Sequence, residues 1–146
     1  ALRQTAHEVD ARLTAPEAAG HRERVLIYVS ADPATAALIR RGQRVADYLQ
    51  AECMAVAITG AGSGEREAVE QHLTFARNLH INTDVLDGIG RPAETLVEFA
   101  RARRVTQIYV MRPKRIPRIL WRGRSLVHDI VRLARDIRVV IVAERR

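Results

Sequence analysis

Six cationic side chains, Arg112, Lys114, Arg115, Arg118, Arg122 and Arg124, stand within thirteen residues, and Gly123 and Ser125 close the run. The chemistry such a cluster offers is anion binding. A guanidinium presents forked donors matched to phosphate or carboxylate, and six cations this close repel one another unless an anion joins them. Phosphate loops ordinarily use glycines, which let the backbone N–H groups approach the anion. This run holds one glycine, so it exchanges a backbone cradle for side-chain charge. Three readings are open: an anion-responsive regulatory or protein-docking surface, a weak nucleotide pocket, or a solvated loop.

A second group of polar residues follows the apolar run RVLIYV. Ser30 stands where a ligand could meet it and could equally close the turn. Asp32 is placed to cap a helix beginning near Pro33. No nucleophile, base and orienting group assemble around either residue, so no catalytic set is expected. Walker A, GxGxxG, HExxH, GxSxG and CxxC patterns are absent. GAGSGE reads as a flexible loop. The five histidines, His7, His21, His72, His80 and His128, show no metal-ligand spacing. His128 is expected on the surface, with Asp129 paired to Arg132 one turn later. Cys53 lies in an apolar run and reads as an inert core thiol; a lone cysteine suits a reducing compartment.

The elements that must position these groups repeat in one order. RVLIYVS and CMAVAIT are short apolar runs of the kind that form strands buried on both faces, and TQIYVM reads as the fourth strand. INTDVLD is a weaker strand, and RVVIVA a fifth. Helical spacing fills the intervals. Ala37, Leu38, Arg41, Val45, Ala46 and Leu49 recur at helical spacing in the first helix, whose apolar stripe faces one way and its arginines the other, and Val69, Leu73, Ala76 and Leu79 share one face of the second. AETLVEFARARR and SLVHDIVRLARD supply two more. The expected fold is α/β: an open five-stranded, mostly parallel sheet with helices on both faces. Its carboxyl edge collects the loops at 30–33, 59–64, 87–92 and 111–125, so any small-molecule site belongs there.

The chain has 146 residues, enough for one domain, and 47% hydrophobic content. No apolar run approaches the ~18 residues of a membrane span. From Arg101 onward there are fourteen basic residues against Asp129, Asp136 and Glu144, about +11 of charge, which leaves about −4 for the remainder of a chain of net +7. An anionic partner fits that imbalance. Lys114 is the single lysine, so a general bias toward arginine contributes to it. Trp121 inside the basic run gives the composition of a nucleic-acid surface only weakly, and nucleic acid is not the expected partner. Residues 1–20 read as a tail helix and linker of a preceding domain, ahead of a domain over 21–146.

RVLIYVSADPATAALIRRGQRVADYL, AETLVEFARARRVTQIYVMRP and WRGRSLVHDIVRLARDIRVVIV together resemble a universal-stress-protein domain. They resemble in particular the version carried by KdpD-type potassium-sensing histidine kinases. The resemblance spans essentially the whole chain. It implies a five-stranded nucleotide-binding α/β fold in a cytoplasmic, regulatory, non-catalytic domain of a two-component sensor kinase anchored in the inner membrane. Implied partners are the other domains of that kinase and a universal stress protein. Implied ligands are ATP or another nucleotide, including a cyclic dinucleotide; a stand-alone universal-stress-like protein binding ATP is the alternative. Mapped onto this chain, the ligand- or anion-binding set is Ser30, Asp32, Met111, Arg112, Lys114, Arg115, Arg118, Arg122, Gly123, Arg124 and Ser125. Much of the family's ATP motif is lost: Ser30 replaces an aspartate, Met111 and Lys114 replace the glycines of GxxG, and Arg124 separates Gly123 from Ser125. The family also places its fifth strand at the sheet edge, which implies a weak homodimer through the Val139–Ala143 strand.

Overall fold

The computed structural model describes residues 22–59, 66–112 and 126–143. Among them five strands and four helices alternate: β1 (Arg24–Tyr28), α1 (Thr35–Leu49), β2 (Glu52–Thr59), α2 (Arg66–Asn78), β3 (Asn82–Asp87), α3 (Pro92–Ala102), β4 (Gln107–Met111), α4 (Leu126–Leu133) and β5 (Arg138–Val142). All neighbouring strands are parallel, in the order β3-β2-β1-β4-β5. The expected α/β architecture is the one observed.

Alternation along the strands divides the core in two. On one face Leu26, Met54, Val56, Ile108 and Val110 pack with α3 and α4 residues such as Leu96, Val97 and Ile130. On the other, Val25, Ile27, Val29, Ala55, Ala57 and Tyr109 pack with Leu38, Ile39 and Leu73 of α1 and α2. The three central strands are buried on both faces, which is why they read as continuous apolar runs. The edge strands β3 and β5 carry mixed burial. β5 is an edge strand, as expected, although it ends at Val142, one residue short of Ala143.

The stripe of α1 needs correction. Leu38 and Ala46 are buried and Arg41 is exposed, as expected, but Thr35, Ile39 and Gly42 are buried as well, Ala37 and Leu49 are exposed, and Val45 is half-buried. Gly42 is the reason for the rotation. A Cβ there would stand 2.5 Å from Ile27 Cδ1, so the helix lies against β1 along its glycine side and turns the neighbouring positions outward. The helix of residues 93–104 likewise starts one residue earlier than expected, with Pro92 in its first turn.

Candidate functional site

The strand order contains one reversal. The chain runs outward from β1 through β2 to β3, then crosses to β4 and continues to β5. Adjacent crossovers on opposite faces leave a crevice where the order reverses, beyond the carboxyl ends of the two strands concerned. Here that is the β1–β4 seam, registered as Leu26↔Ile108 and Ile27↔Tyr109. Ser30 and Asp32 follow β1, while Met111 ends β4 and Arg112 follows it, so the fold brings these four candidate residues to one crevice. Lys114, Arg115, Arg118, Arg122, Gly123, Arg124 and Ser125 lie outside the described residues.

The β1–α1 turn is closed by its own side chains. Thr35 is fully buried and its hydroxyl donates to the Ser30 carbonyl oxygen at 3.3 Å. The Ser30 and Thr35 hydroxyl oxygens are 3.1 Å apart. With the Thr35 proton directed to the carbonyl, the Ser30 hydroxyl donates to Thr35 Oγ1. Ser30 Oγ also accepts from the Asp32 N–H at 3.3 Å. Ser30 is therefore a turn-closing residue with its donor occupied. The Asp32 carboxylate accepts from the Ala34 N–H at 2.8 Å, and the Asp32 carbonyl from the Thr35 N–H at 2.9 Å. Asp32 thus caps the turn rather than the helix, whose N-cap position is Ala34 with no side-chain bond. Sequence reasoning missed Thr35. The available signal was a β-branched hydroxyl five residues after Ser30, in the first turn of a helix.

Across the seam Met111 is buried in the α1 and α2 face, so it contributes bulk to the crevice wall. Arg112 is exposed, and its N–H donates to the Val142 carbonyl at 2.8 Å, which fixes the backbone at the end of β4. Beyond β3, the Gly88 N–H donates to the Thr59 carbonyl at 3.2 Å and ties the next loop to β2. A Cβ on Gly88 would overlap Ile58 Cγ2, so glycine is what permits that approach. The carboxyl end of the seam therefore has an acidic residue, Asp32, after β1 and an exposed basic residue, Arg112, after β4. A ligand with a hydroxyl or amine at one end and an anion at the other matches that polarity.

Other candidates resolve individually. His128 is exposed, and Arg132 pairs with Asp129 at 3.6 Å as the helical spacing predicts. Cys53 is half-buried, and burial together with the field of Asp47 pushes its thiol up to about 12, which leaves it protonated and unreactive at neutral pH. Among the described residues no group of His, Cys, Asp and Glu side chains could hold a metal ion, and no helix is long and apolar enough to cross a membrane.

No family model and no curated protein matches the chain. Solved structures do match. A universal stress protein in complex with cAMP is 15% identical, with 84% of this chain and 98% of that one covered and a TM-score of 0.64. The universal stress protein from Archaeoglobus fulgidus in complex with dAMP is 14% identical, covering 83% and 98%, with a TM-score of 0.59. UspA from Lactobacillus plantarum is 15% identical, covering 82% and 97%, with a TM-score of 0.58. At this identity the likeness is one of fold: the chain has the universal-stress-protein fold.

Proposed function

We propose that this chain is a regulatory, non-catalytic domain of a potassium-sensing histidine kinase, cytoplasmic in location, that senses an anionic ligand at the β1–β4 crevice. One observation carries the reading. The strand order reverses at the β1–β4 crevice, whose β1 side is a self-closed turn in which Ser30 and Thr35 bond each other, while the chain on its β4 side continues in sequence from Arg112 through the arginine-rich run 112–124. Recognition then falls to side-chain charge rather than to a backbone cradle. Such a surface suits reversible sensing: exposed charges bind weakly and release as ionic strength rises.

The test is a melting series with ATP, a cyclic dinucleotide and sulfate, on the wild type and on Arg115→Glu/Arg118→Glu. A ligand at a hundred times its dissociation constant raises stability by about 2.7 kcal/mol. The expected result is a salt-sensitive shift in the wild type that the double variant loses. In the parent kinase the same pair should alter the potassium response at unchanged protein level. Equal shifts in both proteins would remove the loop from the site.

A stand-alone universal-stress-like protein binding ATP is the second reading. It is favoured by the near-complete coverage, 98% in both cases, of the matched proteins bound to cAMP and dAMP. Tight ATP binding indifferent to the Arg115 and Arg118 changes would select it. Either reading accommodates a weak homodimer through the Val139–Ala143 strand. β5 is an unpaired edge among the described strands, and Ile141 is 47% exposed on it. Sedimentation at high concentration should show the association.

A further inference from the structure

α1 runs against β1, so its last turns lie over the amino ends of the strands, at the far end of the sheet from the crevice. There α1, β4 and β5 border an open trough of about 480 Å³. Arg41, Arg44, Tyr48 and Leu49 form the α1 wall, Tyr109 the floor and Arg138 the opposite wall. We propose that this trough docks a carboxylate-rich segment of a partner protein that carries an aliphatic or aromatic side chain beside its acids.

The charge is uncommitted. Five other arginines are paired, Arg24 with Glu52, Arg91 with Glu98, Arg101 with Asp136, Arg103 with Asp84 and Arg132 with Asp129, while Arg22, Arg66, Arg104, Arg112 and Arg135 have no ion pair among the described residues. Arg40, next to Arg41, lies over the Phe75 ring. Among the described residues Arg41, Arg44 and Arg138 have no ion-pair partner, yet they converge on one trough from two elements. Burial raises the Tyr109 phenol above its ordinary value, and the charges of Arg41 and Arg138 oppose that rise, which places both cations within electrostatic reach of the floor.

The floor is rigid. The Tyr109 hydroxyl donates to Gln107 Oε1 at 3.2 Å, and Gln107 Nε2 donates to Glu23 Oε1 at 3.2 Å. Glu23 Oε1 accepts in addition from the Thr106 hydroxyl at 2.6 Å. A chain of bonds from Thr106 to Tyr109 through the residue before β1 holds the surface in place, so docking costs little ordering on this side.

The shape decides between occupants. A small molecule needs most of its surface covered, and this trough is open: Tyr48 is 86% exposed, and Arg41, Arg44, Leu49 and Arg138 are all exposed. A protein segment brings its own surface to complete the burial. Tyrosine and arginine around an apolar patch are the residue types that dominate binding at such contacts. Nucleic acid is disfavoured, because three cations grouped around Val45 and Leu49 make a pocket rather than a stripe that follows a phosphate backbone.

Panning a random twelve-residue peptide display library against the chain tests the proposal. Enriched peptides should join Asp or Glu to Leu, Phe, Tyr or Trp. They should lose at least tenfold in affinity for Arg44→Glu/Arg138→Glu, and for Tyr48→Ala as a milder second variant, with far-UV spectra unchanged. Arg91→Glu at the other end of the sheet should bind as wild type, and Arg115→Glu/Arg118→Glu should too, so failure of the crevice reading leaves this one standing. Absence of enrichment, enriched peptides without acids, or equal binding to the charge-reversed variant would overturn it. Tighter binding of a twelve-residue oligothymidylate through the same arginines would overturn it in favour of nucleic acid.

Discussion

The two ends of the β1–β4 seam handle polarity in opposite ways. At the carboxyl end, the described hydroxyls and the Asp32 carboxylate are bonded to one another and to nearby backbone. At the amino end, the trough holds cations without described counter-ions around an exposed tyrosine. The first region carries residues that a sequence reader singles out, and the fold has satisfied two of them, Ser30 and Asp32, within their own turn. The second carries residues that look like ordinary solvated helix and strand positions, and the fold has left them available. Whether a polar side chain can serve a ligand therefore depends less on its type than on whether its neighbours have already satisfied it.

α1 links the two ends, since its first turn closes the carboxyl-end turn and its last turns wall the trough. Gly42→Val should break both together, because the added side chain enters the space of Ile27 in a closed core. Overpacking of this kind costs about 1–3 kcal/mol. Chemical denaturation should show a lower midpoint, with loss of peptide binding at concentrations of denaturant the wild type tolerates. Thr35→Val should separate the ends: it removes a buried hydroxyl that bonds Ser30, costs about 1 kcal/mol, and leaves the trough's peptide affinity unchanged. The smallest effect contrasts paired with unpaired arginines at the amino end. Arg101 grips Asp136 through Nε and Nη2, at 3.2 and 2.9 Å to Oδ1, and that hydrogen bond holds the Asp136 carboxyl below its ordinary value of 3.8. A depressed carboxylate stabilises the fold above the unfolded-state value, and that stabilisation is lost as pH falls through the folded-state value. Asp136→Asn should flatten the acid limb of a melting-temperature profile below about pH 4, by a small, salt-sensitive amount because the pair is exposed. Arg138→Ala, with no such partner, should leave that limb as it is.

The alternating order of strands and helices was legible because β1, β2 and β4 are buried on both faces and leave continuous apolar runs. The gathering of the loops at one edge was legible for a related reason: parallel strands joined by crossover helices place every strand-to-helix loop at the carboxyl ends of the strands. The orientation of α1 was not. Leu38 and Ala46 were read correctly as core residues, but Ala37 and Leu49 look like core residues too, and only the close approach at Gly42 shows that Thr35, Ile39 and Gly42 complete the buried face instead. The role of Ser30 was half legible, since the alternative of closing the turn was visible but its partner Thr35 was not. The trough was illegible. Arg41, Tyr109 and Arg138 are far apart along the chain, and no local pattern marks residues that meet only through tertiary packing.

The seam has a consequence for the order in which the molecule assembles. Val25 meets Cys53 on one side and Gln107 on the other, and the backbone bond from Arg24 to the Thr106 hydroxyl spans 82 residues. Closing that longer loop costs about 1 kcal/mol more entropy than closing the β1–β2 loop, and the contact gives nothing back until both halves of the sheet exist. β1-β2-β3 and β4-β5 should therefore organise first, with their union setting the folding rate, as expected of topologies rich in distant contacts. A chain cleaved between β3 and α3 would then yield two fragments whose natural meeting line is the β1–β4 seam.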